Sequence, residues 1–289
     1  MASEPPDPDG TRMPDSQGAG QTDLHYRIDD HTDPWVQPPV VLFVHGFAEN
    51  TQAWRTWVPA FSRHFRVVRF DQRGFGESPP VDGRGFSTAQ FVQDLHALMQ
   101  AVSPRRPVHL VAGKSGGISA VAFGAAHPDR LASLTLVSPA LQAPDTTGWL
   151  ERMEQGGMYE WARSTMRQRL GDAMPEAGIE WWSRLMGATR LDTALAYMKW
   201  VSAVDCLPLL AGIRCPALVL AGNTARRGRE AFLEMAARMP NGRYQEIEVD
   251  GYHAAAVAPD RCAAIVTDFI ADIGHSDTNR GDHHAKQNA

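Results

Sequence analysis

Gly113-Lys114-Ser115-Gly116-Gly117 is a G-x-S-x-G pentapeptide, and Ser115 is its candidate nucleophile. A serine hydroxyl is weakly nucleophilic until a base stands within hydrogen-bond reach. Eleven histidines are present. His253 is the candidate base, because it follows the candidate strand Tyr244–Val249 in a loop after Gly251. Attack on a carbonyl would place negative charge on the former carbonyl oxygen, which backbone N–H groups can hold. Position assigns that role to the amides of Phe47, after His45-Gly46, and Gly116, after the serine. The same residues also invite a phosphate-loop reading, since Gly113-Lys114-Ser115 ends like GxxxxGKS. That loop needs a glycine five positions before Gly113, and Val108 stands there.

These groups require elements that present them on one face. Short strand-like segments at Val40–Val44, Arg66–Phe70, Pro107–Val111, Leu131–Val137, Ala217–Leu220 and Tyr244–Val249, most of them apolar, alternate with helical patterns. Unbroken apolar runs are the mark of strands covered on both faces by helices. The alternation predicts an α/β fold with a doubly wound, mostly parallel sheet, whose active groups lie beyond the carboxyl ends of the strands. Ser87 followed by Gln90 predicts a capping box opening one helix. Residues 145–205 break the alternation and read as helix only. They hold five of the eight tryptophans and six of the eleven methionines. This segment is expected to be a helical cap over the strand ends, lining a bulky, apolar or aromatic substrate pocket. The core is then expected at 23–144 and 206–273, between a disordered leader (1–22) and a disordered tail (274–289).

In this order the motifs resemble the α/β-hydrolase superfamily, of the esterase, lactonase and carbon–carbon hydrolase type with a helical cap. The resemblance rests on five motifs in order: His45-Gly46-Phe47, Asp71-Gln72-Arg73-Gly74-Phe75-Gly76-Glu77-Ser78, Gly113–Gly117, Pro216–Gly222, and Gly251-Tyr252-His253 with Pro259. It implies a Ser115–His253 hydrolase with Phe47 and Gly116 as the oxyanion hole, needing no metal or organic cofactor. It also implies a triad acid shortly after Gly222 or at the end of the strand after the elbow helix. Ala225 and Ser138 occupy those places. Asp205, Asn223, or a Ser–His dyad without an acid are the alternatives. His45, Asp71 and Arg73 are expected to hold loops together, and Lys114 to point into a surface pair.

The expected function is cleavage of a carboxylic ester or lactone of a small-molecule substrate. A carbon–carbon hydrolase or cofactor-free oxygenase, and a non-catalytic ligand receptor, are the rivals. With 28 basic and 33 acidic residues the formal net charge is −5, which favours neither nucleic acid nor an anionic membrane as partner. Cys206, Cys215 and Cys262 lack metal or disulfide spacing, and no signal peptide is apparent, so a cytoplasmic location is expected. The oligomeric state is left open, a homodimer included.

Overall fold

The computed structural model describes residues 22–81, 85–225 and 227–285, with side chains up to residue 274. The leader expected at 1–22 lies outside them except for its last residue. Seven strands form one sheet: β1 (Tyr26–Asp29), β2 (Val40–Val44), β3 (Arg66–Phe70), β4 (Val108–Gly113), β5 (Leu131–Val137), β6 (Ala217–Gly222) and β7 (Gly242–Ile247). Their order is β1-β3-β2-β4-β5-β6-β7, parallel except for β1, which pairs antiparallel with β3 at one edge. Short and half-buried, β1 carries no long apolar run and was not foreseen. The central strands β2 and β6 are buried at every residue. Helices on both faces leave no room there for polar alternation.

The helices are α1 (Val58–Phe61), α2 (Thr88–Val102), α3 (Gly116–Ala126), α4 (Trp149–Leu170), α5 (Glu176–Gly187), α6 (Leu191–Val201), α7 (Arg229–Ala237), α8 (Ala254–Val257) and α9 (Pro259–Ala285). Helix α2 starts as its sequence predicts: the Ser87 side chain accepts the Gln90 N–H. The box is not reciprocal, because Gln90 Nε2 donates onward to Asp94. Helices α4, α5 and α6 form the insertion between β5 and β6. Helix α9 continues through Ala285, so the polar stretch from Gly274 is helical where composition predicts disorder. Residues 286–289 lie outside the described ones. None of the described helices is long and apolar enough to cross a membrane.

The insertion is fastened to the loop before α8. Arg169, at the end of α4, accepts the N–H of His253 through its carbonyl. Gly251 makes that approach possible: its φ is +103°, and a Cβ there would lie 2.5 Å from the Leu170 carbonyl carbon. A Gly251→Ala substitution combines left-handed strain with a backbone clash. It is expected to lower stability by roughly 2 kcal/mol or more, measured as a shift in urea unfolding.

Candidate active site

The loop after β2 is a tight turn over Gly46–Glu49. The Glu49 N–H donates to the Gly46 carbonyl, and the Gly46 N–H donates to Glu49 Oε2 at 2.9 Å. Ala48 takes a positive φ of 59° to complete it. A non-glycine residue in that region is strained and marks a conformation held by its surroundings. The turn directs the Phe47 amide and the Glu49 carboxylate inward. Phe47 N–H donates to Ser115 Oγ at 3.0 Å. The other Glu49 oxygen accepts from His253 Nε2 at 2.9 Å, across 204 residues of sequence. Both side chains are buried.

Burial alone would raise the Glu49 pKa. The His253 charge, its hydrogen bond and the Gly46 N–H oppose it, and the carboxyl falls to about 2. A carboxyl whose folded pKa lies below its unfolded value adds stability above the unfolded pKa. That stability disappears as pH falls through the folded value. Glu49 is therefore expected to contribute on the order of 2–3 kcal/mol near neutrality, lost between about pH 4.5 and pH 2. Urea midpoints of wild type and Glu49→Gln across that range should converge as the pH drops.

The structure settles where the other expected residues stand. His45 is buried, with Nδ1 2.8 Å from the Gly46 carbonyl and Nε2 accepting the Gln72 N–H at 2.9 Å. Burial holds its pKa below the ordinary value, against the pull of Asp71. It is a neutral strut. Asp71 accepts the N–H groups of Thr51 and Glu77, and Arg73 pairs with Asp94 and Asp23. Asp205 accepts the Leu207 N–H as a local cap. Asn223 accepts the Val249 N–H. Neither of these alternatives meets His253. The carboxylate on His253 is Glu49, on the opposite side of the sequence from the place family motifs indicate. His253 Nδ1 is buried and has no hydrogen-bond partner among the described residues. Trp182 lies on the ring, centroids 5.2 Å apart.

The turn after β4 departs from the sequence reading by one residue. The strained position is Lys114, with φ +54°. Ser115 has helical angles (φ −72°, ψ −11°) and caps α3. In a nucleophile elbow the serine itself takes the strained tip. The amide following the tip therefore belongs to Ser115, and that of Gly116 lies one residue further, inside the first helical turn. Gly116 serves closeness instead: a Cβ there would sit 2.4 Å from the His45 carbonyl oxygen. No hydrogen bond joins Ser115 to His253 among the described residues. The Tyr197 hydroxyl from α6 is the second group against Ser115. Burial raises its pKa, a hydrogen bond with the Ser115 hydroxyl opposes this, and the Glu49 charge adds to the rise.

Ser115, Phe47, Glu49 and Lys114 open onto one cleft, lined on the insertion side by Trp149, Arg169, Tyr197 and Met198. Phe47 stacks on Tyr197, centroids 4.9 Å apart, which joins the Gly46–Glu49 turn to α6. His, Cys, Asp and Glu residues form no group suited to a metal among the described residues.

A family model described as the alpha/beta hydrolase fold matches residues 39–174. The chain has the α/β-hydrolase fold. The crystal structure of the enol-lactonase from Burkholderia xenovorans LB400 superposes with a TM-score of 0.77 at 24% identity, covering 86% of this chain and 96% of that one. Among curated relatives, a 2-hydroxy-6-oxononadienedioate/2-hydroxy-6-oxononatrienedioate hydrolase of Paraburkholderia xenovorans is 26% identical over 277 residues, 88% of this chain and 93% of that protein. The probable oxidoreductase EphD of Mycobacterium tuberculosis is 37% identical over 105 residues. That match spans 35% of this chain but only 17% of EphD. Against the family pattern, Lys114 takes the strained tip where a nucleophile stands, with Ser115 directly after it.

Proposed function

We propose that this α/β-hydrolase cleaves a carboxylic ester or lactone of a small molecule, with Ser115 as the attacking group and His253 as its base. The observation that carries this reading is the buried Glu49–His253 pair at 2.9 Å, with Glu49 opening onto the cleft that holds the Ser115 hydroxyl. Oγ attacks the carbonyl carbon and its proton passes to the imidazole. The carbon–oxygen bond to the leaving alcohol then breaks, and the imidazolium returns the proton to that alcohol. Water repeats the sequence on the acyl-serine. Glu49 holds the imidazole and stabilises its cationic form. The resting ring rests on Glu49, so one nitrogen must turn toward Oγ, or act through one water, when substrate binds. The Phe47 amide, already pointed at Oγ, is released to the carbonyl oxygen as attack proceeds. The solved enol-lactonase of the same fold and the relative acting on a 2-hydroxy-6-oxo dioate agree with a carbonyl substrate.

The positive φ at Lys114 favours a second reading. In it, the Glu49–His253 pair activates water, and the Phe47 and Ser115 amides hold the oxyanion. Labelling with a fluorophosphonate separates the two. The first reading expects one phosphonylated residue, Ser115. Ester turnover without labelling would leave the water mechanism.

A further inference from the structure

We propose that the cleft binds a carboxylate, held by Arg169 and Lys114, so that the substrate is an acidic ester or lactone rather than a neutral one. This rests on the hydrolase reading for the word substrate, but not for the binding site itself.

Arg169 is only 6% exposed, and it lines the cleft from α4. Its Nε donates to Thr165 at 3.2 Å. Its Nη2 is buried without a hydrogen-bond partner, and no ion pair to Arg169 is formed among the described residues. The guanidinium is instead stacked near Trp149, Trp161 and Tyr252, at 5.4, 5.1 and 5.9 Å from the ring centroids. A buried arginine without a carboxylate is costly, and its donors stay unsatisfied until an acceptor arrives. The aromatic rings offset part of the lost hydration but cannot accept in the plane of the fork.

A second basic side chain approaches the same tyrosine ring. Lys114 Nζ lies 3.9 Å from the centre of the same Tyr252 ring and 3.4 Å from the Tyr252 carbonyl. It is presented there by the strained tip of the turn after β4, and strained non-glycine residues persist where the surroundings hold them for use. Among the described residues, Glu49 is the only carboxylate lining the cleft, and one of its oxygens is taken by His253 and the other by Gly46. The Arg169 guanidinium therefore faces the cleft with no carboxylate on it among the described residues. A carboxylate matches the planar fork of arginine in two hydrogen bonds, and an apolar body would lie on Trp149, Met198 and Val201.

The test measures binding and turnover separately. Calorimetry on the full-length Ser115→Ala protein compares 3-phenylpropionate with its neutral amide. Kinetics on wild type compare mono-(4-nitrophenyl) glutarate with 4-nitrophenyl butyrate. The carboxylate member of each pair should be preferred by about tenfold or more. In Arg169→Gln that preference should collapse toward one, through Kd and KM, and Arg169→Lys should restore part of it. If Arg169→Gln does not fold, Arg169→Lys alone must weaken the preference. Equal binding of acid and amide overturns the proposal, and so does a preference that survives Arg169 replacement, which would make the arginine a packing residue only. Arg169-dependent binding of the acid with neither ester hydrolysed would keep the anion site and remove the hydrolase reading. Hydrolysis of both esters at equal rates would do the reverse.

Discussion

Ser115→Ala is expected to abolish fluorophosphonate labelling and to lower ester turnover by roughly a thousandfold or more, the range seen when a serine nucleophile is removed. The side chain is small and borders an open cleft, so the substitution leaves no large void and the fold should survive with its thermal midpoint little changed. What is lost is one oxygen with two neighbours, the Phe47 amide at 3.0 Å and the Tyr197 hydroxyl. If Ser115→Ala keeps more than about a tenth of wild-type turnover, the serine does not attack. The Glu49–His253 pair acting on water would then remain.

Glu49→Gln should lower kcat by roughly a thousandfold to ten-thousandfold with a smaller change in KM, as when the carboxylate behind a catalytic histidine becomes an amide. The shape of the side chain is kept, but its charge is not. An imidazolium formed by proton transfer would then stand buried beside a neutral amide, where low dielectric makes the missing charge matter most. The Gly46 N–H still finds the amide oxygen, so the Gly46–Glu49 turn persists. Glu49→Ala would remove both functions and should also destabilise the turn, leaving the Gly46 donor unsatisfied. A Glu49→Gln enzyme of undiminished kcat would show that Glu49 only anchors the turn.

Much of the fold was legible in the chain. The apolar runs marked the buried parallel strands β2 to β6, because a strand covered on both faces cannot tolerate polar alternation, whereas the half-exposed β7 alternates; Ser87 marked the start of α2. The edge strand β1 escaped notice, since half-buried edges carry no such run. The polar tail continued as helix because α9 propagates from a buried, packed start at its N-terminal end.

Sequence by itself determined the fold class, the strand order's raw material, and the two loops carrying Phe47 and His253. Their types and spacing are local properties of the chain. The partner of His253 was not local. Glu49 is an ordinary acidic residue four positions after His45 until a turn with a positive φ at Ala48 folds it onto an imidazole 204 residues away. Nor does a pentapeptide pattern specify which residue takes the strained tip: Lys114 and Ser115 both fit between flanking glycines, and the backbone torsions chose Lys114. Arg169 is likewise one of many arginines in sequence. Only the packing of α4 over the strand ends made it a buried cation facing the cleft. Hydrophobic periodicity and turn chemistry are written in neighbouring residues, whereas charge pairing in a buried site depends on which distant loops the sheet brings together.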